Sequence, residues 1–331
     1  MSETARPVRW GILATGRIAH EFTEDLRLLP DADVVAVGSR TAEAARRFAD
    51  RHAIPRAYGS WAELAADDEV DVVYVATPHS AHLEASAICL KAGRAVLCEK
   101  PLTLDAADAA RLIGLAGEQG RFLMEAMWTL TNPAIRRIRE VIADGAIGEV
   151  TFVQADFGVA GPFDPSHRIR DPELGGGALL DLGVYPVTLA YAVLGQPSDI
   201  QAWAALNPEG TDAHTGIVAG YPGGALALLQ CGIRGDTAQR ATIVGTGGRI
   251  EIPRLFYRPA GFTLVRGGQA EEFAVPFRGN GMSHEAEEVM RCLRAGELES
   301  PLVPHQSTVD VMTILDRVRT QIGVSYPPRR E

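Results

Sequence analysis

The sequence predicts an α/β protein in two parts: a doubly wound parallel sheet, then an α/β domain built on a largely antiparallel, open sheet. Three observations carry this. Through the first third, short β-branched apolar runs alternate with helical patterns, the order that builds βαβ units with helices on both faces of a sheet. From about residue 150, strand-like runs follow one another with Gly and Pro at hairpin spacing, as antiparallel sheets do. At 331 residues the chain is longer than one typical core serves.

The elements follow in order. "VRWGILA" (8–14), "DVVAVGS" (33–39) and "VDVVYVA" (70–76) are too short and too β-branched for helices and predict buried strands. Between them "TAEAARRFADRH" and "HSAHLEASAICLKAG" have helical patterns, the second closing at Gly93 where a C-terminal glycine belongs. "RAVLCEK" is a fourth strand, and "LDAADAARLIGLAGEQG" a helix ending at Gly120. Beyond 150, "EVTFVQADFGV", "DIQAWAAL", "HTGIVAGYPGGALALLQCGI", "RATIVGTGGRIEI", "GFTLVRG" and "EEFAVPF" predict strands, and helices return at "SHEAEEVMRCLRAG" and "STVDVMTILDRVRTQIG". No repeat or low-complexity linker intervenes. The expected domains are 1–125 and 126–331, with the last helix free to pack back on the first domain.

Composition narrows the partners. A net charge of −10 argues against nucleic acid and against an anionic membrane surface. The N-terminal residues lack a signal-like pattern and no run of eighteen apolar residues appears, so the expected location is cytoplasmic. Cys89, Cys98, Cys231 and Cys292 have no metal or disulfide spacing and are expected as buried free thiols.

Four stretches carry chemistry. After the first strand, Ala14-Thr15-Gly16-Arg17-Ile18-Ala19 is a degraded G-x-G-x-x-G, whose purpose is to bring backbone N–H groups at a helix start up to a pyrophosphate. A strand before it and a helix after it favour a dinucleotide site over a bare glycine turn. Ala14, in the first glycine's place, is tolerable if its φ stays negative. At the end of the second strand stand Ser39, Arg40 and Thr41 with no acid among them. An NAD site offers a carboxylate to the ribose there, so small polar and basic residues predict NADP, with NAD less favoured. The alternative is that Thr41 caps the helix and Arg40 is solvated. In "ATPHSAHLEA", Thr77, Pro78, His79 and His82 sit at the carboxyl edge of the sheet. Hydrogen bonding to cofactor or substrate competes with a satisfied histidine; a metal lacks diagnostic ligands. In "AVLCEKPLTL", Glu99 and Lys100 end the fourth strand, pointing into the ligand crevice rather than the core, and Pro101 fixes the exit. Farther on, "GGGALLDLGVYP" sets three glycines, 175–177, before Asp181 and Tyr185, which lie four apart on one face of a helix.

Together "GILATGRIA", "TPHSAH", "CEKP", "EAMW" (125–128) and "GGGALLDLGVYP", in this order over nearly the whole chain, resemble the glucose-fructose oxidoreductase, inositol dehydrogenase and rhizopine-catabolism family, written Gfo/Idh/MocA. The branch the chain looks like holds dimeric dihydrodiol dehydrogenases and NADP-dependent aldose dehydrogenases. The resemblance implies a Rossmann domain carrying NADP and an α/β domain whose open sheet forms a homodimer or homotetramer. It implies roles as well: Lys100 as the family's lysine, Asp181 orienting substrate, Tyr185 as acid/base, and Arg168 and Trp128 on the substrate side. Hydride transfer at a carbinol requires a proton to move at its oxygen. A free tyrosine titrates near ~10, and an ammonium beside it favours phenolate, which gives Lys100 beside Tyr185 a purpose. Glu99 would pair with Lys100 or bind ribose hydroxyls.

The chain departs from the family after "EAMW", where Thr129-Leu130-Thr131-Asn132-Pro133 replaces an arginine and an aromatic, and an apolar Leu130 suits a less polar substrate. The expectation is an NADP-dependent oxidoreductase acting on a CH–OH or C=O carbon of a sugar or cyclic diol. Its alternatives are a non-catalytic NADP-binding redox sensor, a nicotinamide-dependent glycoside hydrolase, and an enzyme that recycles a tightly held cofactor between two sugars.

Overall fold

A computed structural model describes residues 6–327. The chain divides into two compact units. The first comprises the chain up to Thr103, Ala107–Trp128 and Arg278–His305; the second comprises Leu104–Ala106, Thr129–Phe277 and the chain from Gln306 on.

The first unit is built from β1 (Val8–Leu13), α1 (Arg17–Leu26), β2 (Ala32–Gly38), α2 (Ala42–His52), β3 (Arg56–Tyr58), α3 (Trp61–Ala65), β4 (Val72–Val75), α4 (His82–Lys91), β5 (Ala95–Glu99), α5 (Ala106–Gln119) and β6 (Leu123–Ala126). Its six strands are all parallel, in the order β3-β2-β1-β4-β5-β6. This is the Rossmann arrangement, and the order reverses between β1 and β4, the switch point where open α/β sheets bind ligands. The core explains the strands' apolar runs. Trp10 of β1 meets Phe22 of α1 edge-on at 5.5 Å, and Phe22 stacks on Tyr74 of β4 at 3.8 Å. β3 and β6, three and four residues long, extend the sheet beyond the four strands legible in the sequence.

The remaining elements are α6 (Trp128–Thr131), α7 (Pro133–Ala143), β7 (Val150–Gly158), α8 (Val184–Leu194), β8 (Asp199–Leu206), β9 (Asp212–Gly220), β10 (Leu226–Gly232), β11 (Ala241–Gly245), β12 (Gly248–Ile252), β13 (Gly261–Arg266), β14 (Gln269–Ala274), α9 (Ser283–Ala295) and α10 (His305–Ile322). α9 belongs to the first unit, a return the expected boundaries did not include. The cause is Asp25 on α1. α9 has no side-chain cap of its own, and the buried Asp25 carboxylate accepts from the backbone N–H groups of Asn280, Met282 and Ser283 at 2.7, 2.8 and 3.0 Å. The last helix, α10, lies in the second unit from Gln306 onward.

The second unit's eight strands run β14-β13-β12-β11-β7-β10-β9-β8, all antiparallel except the β7–β10 pair. α8 packs on β7 and β10. Alternation along β10 separates buried Ala227, Leu229 and Cys231 from exposed Leu226, Leu228 and Gln230. α8 is apolar all round, as a helix fully enclosed in a core can be. The stretch Pro172–Leu194 has the length and mean hydropathy of a membrane span, but most of it is buried inside the folded chain. All four cysteines are free and buried.

Candidate functional site

Because every strand of the first sheet is parallel, the loops after β1, β2, β4 and β5 leave the same edge. At the first, Gly16 is the N-cap of α1 with extended backbone; no side chain caps the helix and no acid stands in its first turn. A Cβ placed on Gly16 would meet nothing within 4 Å. Unsatisfied N–H groups facing open space are what an incoming pyrophosphate requires. Arg17 and Ile18 form the helix's first residues. Ala14 does not keep a negative φ; it is held at +94°, with its N–H on the Gly38 carbonyl at 2.9 Å. The turn therefore keeps the conformation a glycine would give it and carries the methyl group as strain.

At the second loop, Ser39 is buried and its hydroxyl stands 3.5 Å from that of Thr15. Thr41 caps α2, its Oγ1 accepting from Ala44 N at 3.2 Å, while Arg40 is exposed. At the third, after Thr77 and Pro78, His79 opens a short turn and is buried. His82 is fully buried, with Nδ1 2.8 Å from the Pro101 carbonyl and Nε2 2.9 Å from that of Thr77. It ties the third loop to the fourth.

At the fourth loop, the Tyr74 hydroxyl donates to Glu99 Oε1 and the Lys100 backbone N–H donates to Oε2 at 3.2 Å. The glutamate at the end of an apolar strand is thus anchored from beneath by a buried phenol. Burial, then the neighbouring Glu99 charge, push the Tyr74 hydroxyl well above its ordinary value, so it remains a donor. Lys100 is half-buried. Just beyond it, Leu102 N donates to buried Glu125 Oε1 at 3.0 Å, which fixes the chain leaving Lys100 and Pro101. Glu125 came from "EAMW" but sequence reasoning gave it no role; half-buried Trp128 ends that motif.

In the second unit the glycine run does not lead into a plain α-helix. Leu179–Gly183 forms a π turn, which passes into α8 at Val184. Such turns recur at functional sites. This one carries Asp181, whose buried carboxylate takes a two-pronged ion pair from Arg168 at 3.1 and 3.2 Å. Tyr185 lies in the first turn of α8, buried beside an aromatic wall: its ring is 5.0 Å from Tyr257 and 5.5 Å from Phe157, and those two stack at 4.5 Å. Thr129, the residue after "EAMW", donates from Oγ1 to the Tyr257 carbonyl at 2.7 Å, and Leu130 is buried. Phe157 and Tyr257 carried no sequence signal, because aromatics at strand and loop positions read as ordinary core. Among the described residues, no group of three or more His, Cys, Asp or Glu could hold a metal ion.

Comparison with known proteins agrees with this geometry. Residues 8–127 match the oxidoreductase family with an NAD-binding Rossmann fold, and residues 135–251 match the GFO/IDH/MocA C-terminal domain. The mouse trans-1,2-dihydrobenzene-1,2-diol dehydrogenase is 40% identical over 97% of this chain and 98% of its own length; the human protein of that name is 38% identical over the same shares. Among solved structures, KijD10, a 3-ketoreductase from Actinomadura kijaniata in complex with NADP and TDP-benzene, superposes with a TM-score of 0.86 at 29% identity, covering 96% of this chain and 98% of that one. With both domains matched in order and relatives aligned end to end, the chain belongs to the Gfo/Idh/MocA oxidoreductase family.

Proposed function

We propose that this protein is an NADP-dependent oxidoreductase acting on a CH–OH or C=O carbon of a sugar or cyclic diol. The observation that carries it is the uncapped N-terminus of α1, open at Gly16, at the switch point of a parallel sheet. Residues Ala14 to Ile18 would hold the pyrophosphate, Ser39, Arg40 and Thr41 the 2′-phosphate, and Thr77, Pro78, His79 and Glu99 the ribose and nicotinamide end. His82 supports that end by bracing its two loops. When bound, the dinucleotide supplies or accepts the hydride.

The remaining work falls to side chains. Asp181, fixed by Arg168, is a rigid acceptor that can orient a substrate hydroxyl. Tyr185 exchanges a proton with the reacting oxygen, and Lys100 supplies a positive charge that favours an ionised oxygen. The aromatic wall of Phe157 and Tyr257 suits the apolar face of a ring. The names of the relatives support both halves: dehydrogenases of a cyclic diol among sequences, and a ketoreductase crystallised with NADP among structures. The same protein is proposed to be a homodimer or homotetramer through the exposed face of the second unit's sheet. A panel of vicinal cyclic diols, aldoses, inositols and keto-sugars, followed at the nicotinamide absorbance with NADP and NADPH, tests the activity. Turnover without net absorbance change would favour a hydrolase or, where a nicotinamide spectrum survives desalting, a held cofactor recycled between two sugars; cofactor binding without turnover would favour a sensor.

A further inference from the structure

We infer that Asp212 is a positioning residue: it latches the π turn, and through it Asp181 and Tyr185, in the register the reaction needs, and it does so as a buried carboxylate that burdens the fold. The inference rests on the roles proposed above for Asp181 and Tyr185.

Asp212 opens β9 and is fully buried. Its Oδ2 accepts from Leu179 N at 2.8 Å and from Thr215 Oγ1 at 2.6 Å. Leu179 is the first residue of the π turn, so the carboxylate holds the point at which the unusual register begins. A π turn is rare because its geometry is inferior to that of an α-helix, and an external acceptor at its first N–H helps to select it. Among the described residues the other oxygen, Oδ1, has no hydrogen-bond partner. It lies against Gly177, whose φ is +118° and where a Cβ would collide with it. Gly177 and Asp212 are therefore matched: one leaves the space the other fills.

A buried carboxylate oxygen without a donor is costly, and a neutral amide in its place would relieve that cost but receive Leu179 N and Thr215 Oγ1 more weakly than a charged acceptor does. Among the described residues no cation pairs with Asp212. The titratable groups around it are the Cys231 thiol on β10, the Tyr326 hydroxyl, which donates to the Gly176 carbonyl at 2.7 Å, and, reached through Tyr326, Asp181 together with Asp316 and Arg319 of α10. Burial pushes the Asp212 carboxyl up to about 6, against the lowering effect of the Thr215 hydroxyl and of the backbone N–H groups of Leu179 and of Asp212 itself. The sign follows. The folded chain takes up this proton at a higher pH than the unfolded chain does, so ionised Asp212 weighs against folding above pH 6, and the burden lifts as pH falls from 6 toward the ordinary value of 3.8. A side chain that lowers stability yet holds the reactive segment is the pattern of a functional position.

The test uses Asp212→Asn in the full-length protein. At pH 8 the variant should melt higher than wild type by roughly 3 °C or more, while kcat falls ~10-fold or more and KM for NADPH changes less than about twofold. As Asp212 takes up its proton near pH 6 its bonds from Leu179 N and Thr215 weaken, so wild-type kcat should fall on that acid limb; the variant should lack the limb, and its peptides covering residues 177–185 should take up deuterium faster. A purely structural Asp212 would give the opposite pair, a lower melting point with kcat unchanged, and that outcome overturns the inference. So does an acid limb that persists in the variant. Thr215→Val gives a second measure, since it keeps the carboxylate but removes one donor; the acid limb should move up by about half a pH unit or more, and an unmoved limb counts against the latch. Melting and deuterium uptake need no substrate. If no panel compound turns over, the proposed reaction fails; unchanged deuterium uptake with a lowered melting point defeats the latch on its own.

Discussion

Arg40 stands exposed at the end of β2, between buried Ser39 and the helix-capping Thr41. A dianionic 2′-phosphate beside it would gain charge-assisted hydrogen bonds, each worth roughly 1.5 to 3 kcal/mol. Arg40→Ala should therefore weaken NADP binding by ~10- to 100-fold and leave NAD nearly unaffected, while Ser39→Asp should reverse the preference by repelling the phosphate. The kcat/KM ratio for the two cofactors decides, and an Arg40→Ala ratio equal to wild type would make Arg40 a solvated helix-start residue. At the reacting oxygen, Lys100→Met and Tyr185→Phe should each lower kcat by ~100-fold or more; a Lys100→Met rate above about a third of wild type with saturating substrates removes Lys100 from the mechanism. Ala14→Gly should stabilise the protein by up to about 1 kcal/mol by relieving the positive φ, measured by urea unfolding with and without NADP. Which loops share the carboxyl edge of the first sheet was legible, because chain order fixes them in a parallel βαβ series. What His82 and Glu125 do was not, since each binds backbone atoms 19 or 23 residues away whose positions no local pattern records. The φ of Ala14 was hidden for the same reason.

At the scale of elements, strands and helices with a clean period could be read, whereas the π turn could not. Its residues and the first seven of α8, Val184 to Ala190, are all buried, so no apolar stripe exists there whose phase would betray one extra residue per turn. The return of α9 was equally silent, because its cap, Asp25, is supplied by α1 some 257 residues earlier. The packing of α1 on α2 makes a further prediction. His20 on α1 and His52 at the end of α2 face each other through ring nitrogens 2.6 Å apart, a contact with room for one proton. Burial, then the charge of His20, lower the His52 value from 6.5 to about 4. The unfolded chain therefore binds a proton where the folded chain does not, so this contribution to stability is complete above pH 6.5 and is lost as pH falls toward 4. Urea unfolding at pH 7.5, 5.5 and 4.5 should show a steeper acid loss for wild type than for His52→Gln; parallel pH dependences would mean that the pair does not titrate as a unit.

At the scale of the whole molecule, the sheet of the second unit decides whether one chain is enough. One face is covered by α8, but the other presents Trp203, 74% exposed, with Val218, Leu226 and Leu228 beside it. Alternation put this surface within reach of the sequence, since "ALALLQCGI" sends every second side chain away from the core. Single exposed apolar residues need no explanation, but a tryptophan and three aliphatic side chains on neighbouring strands form a contiguous patch of the kind that marks an interface. Its rim carries Gln154, Asp156 and Gln230, which border the shallow hollow around Trp203 and resemble the polar margin of an association surface. A second copy is the partner proposed for this patch, since an exposed sheet face can be self-complementary about a twofold axis. Burying a tryptophan at such a centre is commonly worth 2 kcal/mol or more, and placing a carboxylate there adds a desolvation cost. Light scattering at about 10 μM, a concentration at which interfaces of roughly −8 kcal/mol are largely formed, should give wild type at least twice the single-chain mass of 35.4 kDa. Trp203→Glu combined with Leu228→Glu should reduce it to one chain while circular dichroism stays unchanged, since both side chains point away from the unit's own core. A wild type of single-chain mass at that concentration would leave the patch without the partner proposed for it.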